Sequence, residues 1–241
     1  MKKYIVHIKF LLLFVLIVFL YGFASHRNSL KKSDDFDVYF EDGNNLFISY
    51  ETVNKLLIQK LEADKNQSKE NLNLNNLENF IQSNKMIENT EVFQKINGDL
   101  GIIIKQRTPV LRVASNSNSY YYDKLGGKMP LSDNYSARVP VSSSEIEENN
   151  SKDIISLANY IKEDEFLRKQ IIGISQKEST NQFELKTRIG DQVIEFGNLD
   201  HMQDKFNKLK VFYQKVIADS TLSNYKTIDL KYKNQVVCTK K

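Results

Sequence analysis

Residues Tyr4 to Ala24 read YIVHIKFLLLFVLIVFLYGFA, an apolar run of 21 residues interrupted only by His7 and Lys9 near its beginning. At about 1.5 Å rise per residue, a helix of that length spans roughly 30 Å, the thickness of a bilayer's hydrocarbon core. The run therefore predicts a transmembrane helix over 4–24, preceded by a short tail, 1–3, and followed by a polar tether, 25–33. Lys9 lies close enough to the end for its stem to snorkel, and Tyr4 and Tyr21 suit the two interfaces as aromatic anchors. A cleaved signal peptide is the competing reading, because Gly22-Phe23-Ala24 offers small residues where a signal peptidase cuts. The length of the span favours the retained anchor. Lys2 and Lys3 before the span nearly balance Arg27, Lys31 and Lys32 after it, so charge orients the chain only weakly. No cysteine follows the run at a position that would make a lipoprotein.

The remainder sets narrow limits on chemistry. Lys and Arg number 34 against 30 Asp and Glu, a net +4. Lys2, Lys3, Lys9, Arg27, Lys31 and Lys32 all precede Ser33 with no acid among them, which leaves 28 basic and 30 acidic side chains, a net −2, on the part that folds in water. A nucleic-acid-binding domain presents a clustered basic surface, and this balance does not supply one. Apolar content of 41% fits a globular protein, and about 200 residues suffice for two small cores. Cys238 is the single cysteine, so an intrachain disulfide and a four-ligand structural zinc site are excluded and apolar burial must hold the fold. His7 lies within the apolar run and His26 just after it, leaving His201 as the one imidazole for a folded domain. No cofactor and no metal are expected.

Along the chain the pattern is α+β. Phe36 to Phe40 alternates weakly, Asp42-Gly43-Asn44-Asn45 reads as a turn, and Leu46-Phe47-Ile48 reads as the second half of an early strand or hairpin. Ser49 can cap a helix bearing Val53, Leu56, Leu57 and Leu61 at helical spacing. The polar run Asp64 to Asn71 breaks it, and Leu74, Leu77, Phe80 and Ile81 mark a second helix. Val92-Phe93, the hairpin dipeptide Asn97-Gly98 and Leu100 to Ile104 follow. The first folded domain, 34–108, is thus read as β-α-α-β-β. From Pro109 the texture changes to short strands and turns, with strands over Val110 to Val113, Tyr120 to Tyr122 and Lys128 to Leu131 about a Gly126-Gly127 turn. A helical stripe over Ile154 to Ile161 comes next, then strands at Ile171 to Gln176, Phe183 to Ile189 and Gln192 to Phe196, with Gly190-Asp191 turning the last two. Phe206, Leu209, Phe212, Tyr213 and Val216 form another amphipathic helix. This second domain, 109–241, is β-rich with flanking helices.

The last segment carries the most functional information. Ile228, Leu230 and Tyr232 alternate with Asp229, Lys231 and Lys233, and the alternation continues through Asn234, Val236 and Cys238. A strand that long outruns an ordinary neighbour of about 5 to 6 residues and leaves unpaired N–H and C=O groups as a template for a partner strand. Lys231 and Lys233 would deter self-pairing and favour an acidic partner, although a terminal edge strand merely protected by its lysines has the same pattern. Alternative chemistry finds little support. His201, in Leu199-Asp200-His201-Met202, suits a capping or exposed role. The run Glu145-Ile146-Glu147-Glu148 suits a solvated face. Tyr120-Tyr121-Tyr122 suits a strand better than a base-stacking platform. Asn66-Gln67-Ser68, Asn134-Tyr135-Ser136 and Asn149-Asn150-Ser151 match a glycosylation sequon as an Asn-rich chain does by chance. No phosphate-loop or dinucleotide glycine pattern occurs.

Several motifs, in order, resemble those of the bacterial cell-division family FtsQ/DivIB. Asn84 to Phe93 is similar to the segment entering the second strand of the family's POTRA domain, and Gly101 to Val110 to its domain junction, with Arg107 before Thr108-Pro109. Tyr122-Asp123, Gly127 and Met129-Pro130-Leu131 resemble the strand, turn and strand that follow. Ser136 to Pro140 and Ile228 to Lys233 resemble the next segment and the last-strand region. Gln106 stands where many relatives carry an acid, and Asn234-Gln235 replaces small residues common in the family. The resemblance implies a non-enzymatic, single-pass scaffold of the cytoplasmic membrane, N-terminus inside, with a POTRA-type domain and a β domain in the periplasm. It further implies concentration at the division septum, recruitment of an FtsB–FtsL pair, and through it influence on the septal peptidoglycan synthase. Lys231 and Tyr232 fall at partner-binding positions of the family, and the strand pattern adds Asn234, Gln235 and Val236. Glu88, Glu91 and Phe93 fall on the recruiting surface of the POTRA-type domain. Two other classes stand beside this reading. A POTRA-bearing component of outer-membrane protein assembly or secretion would need a transmembrane barrel or a partner supplying one. An envelope hydrolase would need a nucleophile or carboxylate pair that no motif places.

Overall fold

The computed structural model describes residues 2–30, 36–43, 45–63, 73–96, 99–115, 119–143, 145–146, 151–177 and 180–241. Asn44, the polar run 64–71, the Asn97-Gly98 dipeptide, Glu147-Glu148 and two of the sequon asparagines, Asn66 and Asn149, lie outside them. The chain is α+β, with an apolar helix first and a β-rich region last. The first helix, α1, runs from Lys2 to Leu30, and its stretch His7–Ser25 is long and apolar enough to cross a membrane. The large apolar side chains from Ile8 to Phe23 are all more than half exposed. A helix that is apolar all round and packs into no protein core is suited to lipid as its solvent.

By contact the chain divides into two compact units, Met1–Lys105, which includes α1, and Gln106–Lys241, against a junction expected at 108/109. The reason is Arg107, whose guanidinium is tied to Asp123 of the second unit. In the first unit β1 (Phe36–Phe40), α2 (Tyr50–Ala63), α3 (Leu74–Gln82), β2 (Ile87–Gln94) and β3 (Leu100–Gln106) give the expected order of elements. The sheet order is β1-β3-β2, with β1 parallel to β3. Ser49 Oγ accepts the Thr52 amide at 3.2 Å and starts α2. Asn73 does the same for α3 through the Asn76 amide, each satisfying a donor that the first turn leaves free. Val53, Leu57, Leu77 and Ile81 from the helices pack on Ile87, Val92, Ile102 and Ile104 of the sheet. Leu46-Phe47-Ile48 is not the strand that the pattern suggests. Phe47 and Ile48 are consecutive and both buried, which a strand, sending successive side chains to opposite faces, does not easily allow.

The second unit contains β4 (Pro109–Ala114), β5 (Ser119–Asp123), β6 (Lys128–Pro130), β7 (Val141–Ser142), α4 (Ser151–Glu163), α5 (Glu165–Gln170), β8 (Ile171–Gln176), β9 (Phe183–Thr187), β10 (Val193–Gly197), α6 (Met202–Ala218), β11 (Tyr225–Asp229) and β12 (Val237–Lys240). They build one nine-stranded sheet in the order β12-β11-β10-β9-β8-β7-β4-β5-β6. Ile154, Leu157, Ile161, Phe206, Leu209 and Tyr213 of α4 and α6 pack with Ile174, Leu185, Ile194 and Ile228 of the sheet in one core. Gly190 and Asp191, with φ of 88° and 56°, are the left-handed pair in the 188–192 connection that turns β9 into β10. The connection β10-α6-β11 is a parallel crossover, so the chain leaves β10 and β11 at the same end of the sheet.

One expectation fails here. The long overhanging strand from Thr227 does not form. β11 stops at Asp229, residues 230–236 turn, and β12 returns antiparallel, pairing Ile228 with Cys238 and Asp229 with Val237. β11 thus has β10 on one side and β12 on the other. The strand ends because the Asp229 carboxylate accepts the Lys231 amide at 2.9 Å, a local turn that competes with the ladder. The alternation breaks at the same point: Ile228 and Leu230 are buried, and Tyr232 is 51% exposed.

Candidate functional site

The open groups that the sequence pattern assigned to an overhang lie instead along β12, the end strand of the large sheet, which among the described residues pairs with β11 alone. Lys241 donates its amide to Asn224 O at 2.9 Å, so Lys241 faces β11. In an antiparallel pair the direction alternates by residue. Val237 and Thr239 therefore face β11 as well, and the N–H and C=O groups of Cys238 and Lys240 point away from the sheet. Beneath this edge, Phe212 of α6, Tyr225, Val236 and Cys238 are half-buried against the core, and the Phe212 and Tyr225 rings meet edge-on at 5.7 Å. Burial raises the Cys238 thiol above its ordinary range, so it sits protonated as a small apolar group. Lys226, Lys233, Lys240 and Lys241 are exposed around the edge.

The structure separates the five expected partner residues. Lys231 is exposed and its ammonium lies 2.5 Å from Glu195 and 3.1 Å from Asp229. Its stem crosses Gly197, where a Cβ would meet Lys231 Cγ at 2.8 Å and where φ is +75°. Both facts call for glycine at that position. Tyr232, Asn234 and Gln235 are exposed on the 230–236 loop, and Val236 is half-buried on the apolar shelf. A sixth residue went unnoticed in the sequence. Lys208 of α6 reaches the carbonyl oxygens of Tyr232, Lys233 and Leu230 at 2.5, 3.3 and 3.4 Å. Its neighbour Lys205 is buried on the apolar stripe of α6, donating to Asn198 O at 2.8 Å. Burial lowers the Lys205 pKa, opposed by the nearby Asp200. A lysine in the stripe at 205, four residues before Leu209, is the one signal that pointed to this end of the sheet.

Glu88, Glu91 and Phe93 all lie on β2 of the first unit. Glu91 is exposed, Phe93 is 40% exposed with its ring over Gly101, and Glu88 is 3.9 Å from Lys105. β2 is also an edge strand, but α3 guards it. Glu78 accepts the Val92 amide at 2.8 Å and Gln82 donates to Glu88 O at 3.3 Å.

The junction motif has a physical basis. Asp123 is fully buried; Oδ2 meets Arg107 Nη1 at 2.5 Å, and Oδ1 accepts the amides of Leu125 and Gly127 at 2.9 and 2.6 Å. A Cβ at Gly127 would stand 2.5 Å from Arg107 Nη1, so Arg107, Asp123 and Gly127 are needed together. Ser136 and Ala137 meet the hydroxyl of the buried Tyr121, and Tyr121 and Tyr122 belong to the interior of the fold. His201 is exposed, with φ of 53° and no side-chain cap on α6. Glu145 accepts from Ser115 at 3.2 Å. Among the described residues no three His, Cys, Asp or Glu side chains gather as a metal site would require.

No curated protein matches this chain. Residues 108–239 match the family described as FtsQ/DivIB, C-terminal related. That span takes in Thr108, the Asp123 turn, the helix-backed sheet up to Thr239 of β12 and the 230–236 loop, and it exceeds half of the chain. With the Tyr122-Asp123, Gly127, Met129-Pro130-Leu131, Ser136 to Pro140 and Ile228 to Lys233 motifs inside the matched span, the chain belongs to the FtsQ/DivIB-related family and has a role in cell division.

Proposed function

We propose that the chain is a bitopic scaffold of the bacterial divisome. A short tail lies in the cytoplasm, α1 crosses the cytoplasmic membrane, and the POTRA-type first unit and the β domain stand in the periplasm at the septum. The scaffold performs no catalysis. It recruits an FtsB–FtsL-type pair by accepting a partner strand along β12, and through that complex it helps control septal peptidoglycan synthesis. Glu88, Glu91 and Phe93 serve as a second surface for other divisome proteins.

The observation that carries this reading is the free side of β12, whose residues up to Thr239 fall within the family match. Main-chain hydrogen bonds from Cys238 and Lys240 would supply affinity, and the shelf of Phe212, Tyr225, Val236 and Cys238 would select apolar side chains at alternate positions of the added strand. Exposed Lys226, Lys233, Lys240 and Lys241 favour acidic flanks. Tyr232, an exposed aromatic next to the edge, is of the kind that anchors interfaces.

Lys240→Pro tests it. Proline removes the outward donor at 240 and leaves the pairing of β12 with β11 in place. Capture of a co-expressed FtsB–FtsL pair by the full-length protein should fall at least about tenfold, one good hydrogen bond and its neighbours being worth about 1.4 kcal/mol. Thermal unfolding should stay the same. Undiminished capture by the folded variant would rule out strand addition at this edge.

A further inference from the structure

Nothing in the sequence holds residues 230–236 in one shape, and the loop contains no regular element. Its start is pinned by the Leu230 amide to Glu195 O at 3.0 Å and by the Lys231 amide to Asp229. Beyond that point the carbonyls of Leu230, Tyr232 and Lys233 converge on a single ammonium, Lys208 Nζ. An ammonium has three donors and no acceptor, so three carbonyls are its full complement. The other end of that side chain is fixed. Phe206, Leu209, Tyr213 and Val216 hold α6 in the core on either side of position 208.

Carbonyl oxygens aimed at one point repel one another and would turn to water without a cation between them. From this geometry we infer that Lys208 is a positioning residue for partner capture: by gathering the three carbonyls it holds Tyr232 and the entry to β12 in their bound arrangement before the partner strand arrives. The inference rests on the reading of β12 as the partner edge. It adds that affinity depends on a side chain that does not itself touch the partner. A loop already ordered loses less conformational freedom on binding. Releasing it should weaken capture by about tenfold.

The test uses full-length protein in detergent, a purified FtsB–FtsL pair as the probe, and three variants. Lys208→Met keeps the length and apolar stem of the side chain and removes the donors; Lys208→Arg keeps a cationic donor. The expected result is about tenfold weaker capture by Lys208→Met, faster amide exchange across 231–236, an unchanged thermal midpoint, and recovery of both capture and protection in Lys208→Arg. Capture by Lys208→Met equal to wild type, or exchange across 231–236 equal to wild type, overturns the inference. Should Lys208→Met fail to fold, Lys208→Gln, which can still donate to a carbonyl, decides: a partial loss of capture supports the positioning role, and no loss overturns it. Wild-type protein that captures no FtsB–FtsL pair sinks the reading of β12 itself, an outcome seen before any substitution is made.

Discussion

Asp123 accepts two backbone amides of its own turn and pairs with Arg107 while fully buried, so a single carboxylate joins the start of the second unit to its first hairpin. Removing one member of a buried pair strands the other without water to replace it. Asp123→Ala should therefore cost about 3 kcal/mol in denaturant unfolding, the lower end for such pairs because Arg107 keeps some exposure. Lys231 and Glu195 make a weaker case with a definite pH dependence. The hydrogen bond from Lys231 holds the Glu195 carboxyl below its ordinary range, against burial. The hydrogen bonds to Glu195 and then Asp229 hold the Lys231 ammonium above its own. A depressed acid contributes stability above its unfolded pKa and loses it as pH falls through the folded one. A raised lysine contributes below its unfolded pKa and loses it as pH rises through the folded one. The pair is intact between about pH 5 and pH 10. With both groups about a third exposed, it is worth under about 1 kcal/mol. Glu195→Gln should lower stability by that amount at pH 7 and converge on wild type as pH falls through the lowered folded pKa of Glu195, a convergence that urea melts over a descending pH series would reveal.

At the scale of elements, the contrast among sheet edges is informative. The β6 edge is three residues long and ends in Pro130, and β2 has backbone groups taken by Glu78 and Gln82 of α3. Such devices keep edges from pairing at random. Glu78→Ala should cost about 1.5–3 kcal/mol, the value of a hydrogen bond to a charged group, and should speed exchange of the Val92 amide. Unchanged Val92 exchange would mean that α3 does not guard this edge. The strands β8, β9 and β10 were legible because apolar alternation coincides with turn residues such as Gly190-Asp191. β12 was not. Alternation from Ile228 through Cys238 mimics one straight strand, and the turn that interrupts it is made by the Asp229 carboxylate and by Lys208, more than twenty residues away in sequence. β7, only Val141–Ser142, is too short for any periodicity. Tyr232, which the alternation placed on one face with Ile228 and Leu230, is instead exposed on a loop.

For the whole molecule, the division of labour follows from where apolar surface goes. α1 keeps its apolar side chains outside any protein core, whereas the rest of the first unit and the second unit each bury a core of their own. A chain so built combines a candidate membrane span with two separate cores, which accords with a family of division scaffolds. Whether β12 is the edge that a partner completes can be read amide by amide. Hydrogen exchange of the full-length protein, alone and saturated with an FtsB–FtsL pair, reports each backbone group along that strand. Strand addition requires that the Cys238 and Lys240 amides exchange quickly in the free protein and slow markedly in the complex, while Val237 and Thr239, already bonded to β11, change little. A complex that forms while Cys238 and Lys240 exchange as fast as before would place the partner elsewhere.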